Sequence, residues 1–501
     1  MNARWAAPIA LVTAIAIATA VYGMPMDQVV LSALEGATFG LFPIMWIVVA
    51  AIWVYNMTVE SGHFAVLRRS IGSISEDRRV QAVLIAFCFG TLMEALAGFG
   101  APAAITAVMM VALGFKPIKA AALALLGNTA AVPFGALAIP IATLSDVTGL
   151  DHGDLGAMVG RQTPLLGLLV PFIVVGMVDG RRGLRQAWPV ATIGGLSFAA
   201  AQFICSNHIS VELTDIVASI SSIAAIVALL HVWTPAAPPA AEPARHTDGA
   251  KDGPLDVLRA YAPYLLILAV FSTAQLPAVK RALAGSPWTM SFEWPGLDVR
   301  TPDGEPLRSL TFRFDWLPSA GTLMLISGLI TMSVIGLAPA RALRVARSTV
   351  VELRAPLVVV PAVLALAYVV NQSGQTLSLG LWAAGAGSFF AFLAPLIGWL
   401  GVAVTGSDTA SNALFGAVQV AAAEHTGTSP TLLAAANASG GVLGKMSSAQ
   451  HLAIAAAAVG MAGHEGALFR KVVGWGVVLL LLVCALVYLQ STSALDWMVP
   501  G

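Results

Sequence analysis

A dense group of polar residues interrupts an apolar stretch late in the chain. Its members carry hydroxyl, amide or carboxylate groups: Ser407, Asp408, Thr409, Ser411 and Asn412. Hydroxyl and amide groups can bind the carboxylate of a small molecule together with a hydroxyl beside it. The alternative is a local role, in which Ser407 or Asp408 caps the helix that follows. The two roles are compatible, and we expect this cluster to bind substrate.

A second candidate has almost no side chains and consists of Gly98, Gly100, Ala101 and Pro102. Glycine allows the backbone to approach a ligand closely and to adopt unusual dihedral angles. The backbone itself would therefore bind the substrate here. A close crossing of helices is the alternative, because small residues also serve that purpose.

Further amide and hydroxyl groups follow each of these two stretches. Asn128 and Thr129 come after the first, and Asn437, Ser439 and Gly440 come after the second. They could offer hydrogen bonds to a substrate, or they could only restore helix hydrogen bonds that a break leaves open.

Four ionisable residues lie inside apolar sequence, where burial of a charge is costly and usually functional. Glu94 and Asp408 are candidates to carry a coupled proton. Lys445 could neutralise a substrate charge or pair with an acid, or it could extend its ammonium group to a nearby surface. His451 titrates near neutral pH, although a single histidine is more often structural.

The composition indicates where these residues must lie. The 501-residue chain is 58% hydrophobic and 10% charged, against about 25% charged residues in soluble proteins. The 26 basic and 26 acidic residues cancel, so the chain lacks the basic excess of a nucleic-acid-binding protein. The three cysteines all lie in apolar runs, which excludes a disulfide framework and a cysteine-based metal site. We predict a polytopic membrane protein without a cofactor or a bound metal.

Apolar stretches of about 20 residues can cross a bilayer as helices. We predict spans near 6–23, 31–56, 155–178, 187–205, 213–233, 255–276, 317–337, 355–371 and 472–490, and two apolar but interrupted stretches at 80–148 and 379–462.

Basic residues concentrate in four loops, at 63–79, 180–186, 339–354 and 463–471. Short loops rich in Lys and Arg stay on the cytoplasmic side of a membrane. These loops and the N-terminus are therefore predicted to be cytoplasmic. The Pro- and Ala-rich segment 234–254 is predicted to be a disordered cytoplasmic linker, and 277–316 an external loop.

The linker divides the chain into an N-terminal half, 1–233, and a C-terminal half, 255–501, which resemble each other weakly. Each half is predicted to hold a re-entrant hairpin and a broken helix, at 80–113 and 118–148 in the first and at 379–424 and 430–462 in the second. The basic loops make the two halves run in opposite directions. We therefore predict an all-α polytopic membrane protein with inverted structural repeats. Because lipid cannot satisfy free backbone groups, paired interruptions of this kind indicate a transport site.

Four ordered motifs carry a family resemblance: AxAGFGAP at 95–102 with GFKP after it, NTAxVPFGAxxIPI at 128–141, GSDTASNALFG at 406–416 and NxSGGxxGKM at 437–446. Together they resemble the L-lactate permease family, which includes glycolate permeases. The resemblance covers roughly residues 30–490.

The resemblance implies a bacterial inner-membrane symporter that moves L-lactate, D-lactate or glycolate with protons. A more distant similarity to transporters with paired re-entrant hairpins implies elevator-like alternating access. The alternatives are sodium coupling, or the exchange or transport of another small organic anion. A membrane-embedded enzyme is not expected, because the histidines are scattered and no nucleophile–base pair stands out. The partners expected are thus a 2-hydroxymonocarboxylate, protons and the lipid bilayer.

Overall fold

The computed structural model of the protein describes residues 3–97, 101–235, 253–299 and 311–500. Within these ranges, seven helices are long and apolar enough to cross a membrane, and two bent helix pairs would bring the number to nine. The predicted helical, multi-pass membrane architecture is therefore confirmed.

The first half contains twelve helices in its described residues. They are α1 (Ala3–Ala20), α2 (Met26–Phe39), α3 (Trp46–Glu60), α4 (His63–Gly72), α5 (Arg78–Ala82), α6 (Gly90–Ala97), α7 (Ala101–Ala112), α8 (Pro117–Gly127), α9 (Gly135–Thr148), α10 (His152–Gln162), α11 (Pro164–His208) and α12 (Thr214–Val232). Two π-helical segments, Gly40–Met45 and Val83–Phe89, join α2 to α3 and α5 to α6.

The second half begins after the linker, of which residues 236–252 lie outside the described ranges. Its described elements are α13 (Pro254–Gln275), α14 (Pro277–Leu283), β1 (Met290–Glu293), β2 (Thr311–Phe314), α15 (Ala320–Val334), α16 (Pro339–Glu352), α17 (Pro356–Gln372), α18 (Gln375–Ala384), α19 (Phe390–Thr405), α20 (Asp408–Thr426), α21 (Pro430–Gly444), α22 (Ala449–Ala458) and α23 (Glu465–Gln490). Strands β1 and β2 pair antiparallel within the predicted external loop.

The first hairpin has α5, α6 and the π-helical segment between them as one arm and α7 as the other. The apolar window of the first arm is completely buried inside the protein. Its base is anchored by Arg79, whose guanidinium bonds Asp77 at 2.6 Å and Gln186 of α11 at 2.7 Å. The tip residues Gly98 and Gly100 lie outside the described residues.

The second hairpin consists of α19 and α20. Gly406 ends α19 with a left-handed φ of 75°, and Ser407 caps α20 by accepting a hydrogen bond from the N–H of Ala410. The predicted start of this hairpin at residue 379 is wrong. Residues 379–384 belong to α18, which a turn containing Gly387 (φ 60°) separates from the hairpin.

The first broken helix is interrupted where the sequence predicts it. Helix α8 ends at Gly127, and a 3-10 turn, Thr129–Ala131, follows Asn128. Helix α9 then opens with three consecutive left-handed residues, Ala136, Leu137 and Ala138. The axes of the two helices differ by 51°.

The second broken helix is interrupted later than predicted. Helix α21 runs unbroken through Asn437, Ser439 and Gly440, and the interruption falls at Lys445–Ser448, before α22. Gly440 is small because α19 crosses there, where an added Cβ would collide with the backbone of Pro395. The Asn/Ser/Gly-rich run is thus a helix-crossing surface rather than a break.

The two halves interlock around these interrupted elements. Helix α7 of the first hairpin packs against α22, and α20 of the second hairpin packs against α9. Helices α1, α2 and α17 pack together to one side, as do α3, α15 and α16. The relation of the two halves by inversion stays a prediction.

Candidate transport site

A small cavity of about 40 Å³ lies where these interruptions meet. Its walls come from both halves and are formed by Glu94, Val132, Gly135, Ala136, Ile139, Pro140, Val402, Gly406, Ser407, Asp408, Thr409, Lys445 and His451. Six of these lining residues are candidates from the sequence. They are Glu94, Ser407, Asp408, Thr409, Lys445 and His451. A cavity of this size holds about three water molecules, so the site has little free space in this conformation.

An ion pair occupies one side of the cavity. Lys445 Nζ donates to Glu94 Oε2 at 2.5 Å, and the side chains are 2% and 5% exposed. Asn128 Nδ2 donates to the same carboxylate oxygen at 3.1 Å. The helix ends place these groups: Glu94 lies in the last turn of α6, Asn128 follows α8, and Lys445 begins the second break.

Asp408 faces the cavity from the other side, at the first position of α20. It is 4% exposed, and neither of its carboxylate oxygens has a hydrogen-bond partner among the described residues. Burial of an unpartnered carboxylate is costly, although the N-terminus of α20 offsets part of this cost. A proton or a ligand donor at Asp408 would remove the penalty.

His451 lies on α22 at the edge of the cavity and is 3% exposed. Its Nδ1 has no hydrogen-bond partner among the described residues. Thr409 and Ser407 add hydroxyl groups to the same wall. The cavity therefore combines one cation, two carboxyl groups, a histidine and two hydroxyls.

Other predicted site residues support the cavity without lining it. Asn412 Nδ2 donates to the carbonyl oxygen of Pro140 at 3.0 Å, and Asn437 Nδ2 donates to Asn412 Oδ1 at 2.9 Å. Gln419 in turn donates to Asn437 Oδ1 at 3.2 Å. This chain of amides holds the second hairpin against α9 and α21.

Two further hydroxyls donate hydrogen bonds to backbone carbonyl oxygens. Ser411 donates to the carbonyl oxygen of Gly398, and Thr129 donates to that of Leu125. Ser439 is buried, and its hydroxyl has no hydrogen-bond partner among the described residues. None of the three lines the cavity.

Of the four candidates Gly98, Gly100, Ala101 and Pro102, the structure describes the last two. Gly98 and Gly100 lie outside the described residues, and Ala101 begins α7. Pro102 is buried, and its carbonyl oxygen accepts a hydrogen bond from Thr106 at 2.7 Å.

The left-handed turn at Ala136–Ala138 is a site feature that the sequence analysis missed. Ala136 lines the small cavity, whereas Leu137 lines a second, larger cavity of about 870 Å³. The turn is thus part of the wall between the two. Left-handed geometry costs roughly 1–2 kcal/mol for each residue other than glycine. The sequence Ala-Leu-Ala contains no glycine or asparagine that would predict such a turn.

The larger cavity is polar and lies between α9, α10, residues 206–212 and the loop before α15. We call it the polar vestibule. Its ionisable lining residues are Asp146, Asp151, His152, Asp154, Arg161, His208, Glu212, Lys280, Arg313 and Asp315. Tyr368 of α17 donates a hydrogen bond to Asp146. Asp146 had not been singled out from sequence, because it stands near a helix end.

Similarity to known proteins agrees with this architecture. A family model described as L-lactate permease matches residues 1–492. Glycolate permease GlcA and L-lactate permease, both of Escherichia coli (strain K12), are each 40% identical to the chain; the matches cover 97% and 99% of it and 91% and 92% of the relatives.

Among solved structures, MtrF of Neisseria gonorrhoeae, described as illuminating a class of antimetabolite efflux pumps, has a similar fold. The TM-score is 0.51 at 14% sequence identity, over 98% of this chain and 95% of that one. The likeness concerns the fold alone. The matches over nearly the whole length decide the family: the chain belongs to the L-lactate permease family.

Proposed function

We propose that the protein is a secondary active transporter that imports small 2-hydroxymonocarboxylates, namely L-lactate, D-lactate or glycolate, by proton symport. The observation that carries this proposal is the buried Glu94–Lys445 pair facing an unpartnered Asp408 across one cavity. The relatives' names, L-lactate permease and glycolate permease, support the substrate class. The site would be embedded in a bacterial inner membrane, with the N-terminus in the cytoplasm.

The charges of the site favour a monoanion. Lys445 is the cation of the cavity lining, and in the described structure it is paired with Glu94. A substrate carboxylate takes the place of Glu94 beside Lys445, and Glu94 then binds a proton. The hydroxyls of Ser407 and Thr409 lie in the same wall and suit the 2-hydroxyl group.

Proton coupling follows from this exchange of partners. A carboxylate that loses its cation inside the protein is strongly disfavoured unless it is neutralised. Binding of the anion therefore favours protonation of Glu94. Asp408 takes a proton because its buried carboxylate has no hydrogen-bond partner among the described residues. His451 is a secondary carrier at the edge of the cavity.

Substrate entry requires motion, because about 40 Å³ is too little for a molecule of six heavy atoms. We propose elevator-like alternating access in which the hairpins and broken helices move along α17. The contact between α17 and α20 includes an apolar pair, Val363 and Ala410. The hydrogen bond from Tyr368 of α17 to Asp146 of α9 has to break for α9 to move. Inverted repeats would let one architecture form both the outward and the inward state.

Uptake into proteoliposomes tests the proposal. Radiolabelled L-lactate and glycolate should accumulate under an imposed pH gradient, inside alkaline, and a sodium gradient should have no effect. Glu94→Gln and Asp408→Asn should lose gradient-driven accumulation. Glu424→Gln, which changes an exposed acid on the same helix as Asp408, is the matched control and should retain it.

Two outcomes would replace the proposal with its alternatives. Accumulation driven by sodium, or only by an opposing organic anion, would make the protein a sodium symporter or an exchanger. Failure of every 2-hydroxymonocarboxylate, with uptake of another acid, would refute the substrate class.

A further inference from the structure

A third buried carboxyl group lies beside the site but outside its lining. Asp215 is the second residue of α12 and is 0% exposed. Its Oδ1 accepts a hydrogen bond from Gln202 Nε2 at 3.0 Å, whereas Oδ2 has no hydrogen-bond partner among the described residues. A half-satisfied carboxyl at this depth is costly, and the transport cycle described above does not use it.

Contacts between α12 and the first hairpin place Asp215 opposite Glu94. The thiol of Cys88 lies 3.3 Å from Ser222 Oγ, and Thr91 Oγ1 lies 2.8 Å from Ser219 Oγ. From Cys88 to Thr91 the hairpin advances by three residues, while their partners in α12 go back by three, from Ser222 to Ser219. The two segments therefore run antiparallel.

Residues three or four apart share a helix face. Glu94 is three residues after Thr91, and Asp215 is four residues before Ser219, so the two acids lie on the facing sides of their helices. Helices α6 and α12 pack against each other, so the two carboxyl groups lie on facing helices.

Gln202 connects Asp215 to the first broken helix. Its Nε2 also donates to the carbonyl oxygen of Ala130 at 3.1 Å, and its Oε1 accepts from Thr163 at 3.2 Å. Ala130 lies in the 3-10 turn directly after Asn128, whose side chain holds Glu94. The same interruption therefore positions both acids.

The polar vestibule approaches Asp215 from the other end. Its wall includes Ser206 to Glu212, and Glu212 is three residues before Asp215. Burial acts to raise the pKa of Glu212, but the imidazole of His152, 3.4 Å away, and a hydrogen bond from Ser210 outweigh it and lower the pKa to about 2. Glu212 thus stays ionised near neutral pH and holds no proton to pass on.

We propose that Asp215 is a proton-carrying residue that passes the coupled proton from the vestibule to Glu94; this inference rests on the proton symport proposed above. The proton leaves the Asp215 carboxyl and binds the Glu94 carboxylate as Lys445 turns to the substrate, and Asp215 is reprotonated from the vestibule. Among the described residues, the titratable groups that face this part of α12 are Glu94 and Cys88 of the first arm and Cys205 of α11. Glu94 is the one carboxyl group among these three.

The test separates proton transfer from substrate movement. Exchange of labelled for unlabelled substrate at equal pH requires no net proton flux, whereas accumulation under a pH gradient does. In Asp215→Asn, the new amide oxygen can still accept from Gln202. We expect exchange near the wild-type rate and gradient-driven accumulation reduced by about 100-fold, the scale of a lost proton-transfer group.

Glu212→Gln is the matched control, since it makes the same chemical change three residues away and should retain both activities. Asp215→Glu should restore part of the gradient response. Full gradient-driven accumulation in Asp215→Asn, or loss of exchange together with accumulation in a correctly inserted protein, would overturn the assignment. Absence of a pH response in the wild-type protein would instead refute the proposed symport.

Discussion

At the scale of single residues, one lysine organises the site. Lys445 pairs with Glu94 from the opposite half of the chain, and both are buried. Removal of one member of a buried pair leaves an uncompensated charge, whereas removal of both does not. Stability and transport should therefore respond differently to single and double substitutions.

Lys445→Met should lower the free energy of unfolding by about 3–5 kcal/mol and abolish uptake. The double variant with Glu94→Gln should regain most of the stability and none of the uptake. Thermal unfolding in detergent and proteoliposome uptake measure the two effects. A double variant as unstable as the single one would show that the pair is not the main interaction of Lys445.

The meeting of these charged residues could be predicted only in part. Glu94, Asp408 and Lys445 stand in apolar sequence, so their placement inside the protein follows from composition. Their pairing could not be predicted, because Glu94 and Lys445 are 351 residues apart and nothing local links them. Asp215 was missed because it stands near the end of its span, where an acid usually meets solvent.

At the scale of elements, glycines at helix ends shape the second hairpin. Gly406 and Gly427 end α19 and α20, both in left-handed geometry, with φ of 75° and 67°. An added Cβ at Gly406 would lie 2.5 Å from Gln450 Oε1 and 3.1 Å from Ser448 Oγ, whereas at Gly427 it would meet no atom within 4 Å. A side chain at either glycine would therefore strain the backbone, but only a side chain at Gly406 would also collide with neighbouring residues.

Gly406→Ala and Gly427→Ala should each cost about 1–2 kcal/mol of stability from the backbone alone. Only Gly406→Ala should also lose uptake, because its methyl group displaces residues at the start of α22. Unfolding midpoints and initial uptake rates of the two variants provide the comparison. Equal loss of uptake in both would mean that general destabilisation is responsible.

The left-handed turn of α9 allows a second prediction at this scale. Ala138→Gly relieves about 1–2 kcal/mol of backbone strain and loses one buried methyl, worth about 0.8 kcal/mol, so thermal stability should hold or rise. The control Ala124→Gly, in the right-handed interior of α8, also loses a buried methyl and should lose about 2 kcal/mol, from helix propensity and burial together. A fall in stability for Ala138→Gly as large as that of the control would argue against a strained turn.

The interruptions themselves were predicted unevenly. The break at Asn128 was recognised because Gly, Asn and Pro cluster there. The break assigned to Asn437 was misplaced, since glycines at a tight helix crossing resemble those at an interruption. The true second break, at Lys445–Ser448, has a lysine and two serines and no proline.

At the scale of the whole molecule, the basic loops predict the arrangement in the membrane. Arg79 and Asp179 form a 3.3 Å ion pair that joins the loops before the first hairpin and within α11. These two predicted cytoplasmic regions therefore share one face of the protein.

Single cysteines can map this arrangement, because Cys88, Cys205 and Cys484 are all buried and free. Ser73→Cys and Arg347→Cys should react with a membrane-impermeant maleimide only after the cells are opened. Ser291→Cys, in β1, should react in intact cells. Labelling of residues 73 and 347 from opposite sides would contradict the inverted arrangement of the halves.

Among the described residues, the site and Asp215 beside it hold one cation, Lys445, and three carboxyl groups, Glu94, Asp408 and Asp215, and this ratio determines how uptake depends on the membrane potential. One proton carried with one monoanion moves no net charge, so the membrane potential neither drives nor opposes uptake. A second proton, held by another of Glu94, Asp215 and Asp408, would make each cycle carry one positive charge inward and add about 2.3 kcal/mol of driving force per 100 mV. The voltage dependence of uptake therefore counts how many of these carboxyl groups take up a proton in each cycle.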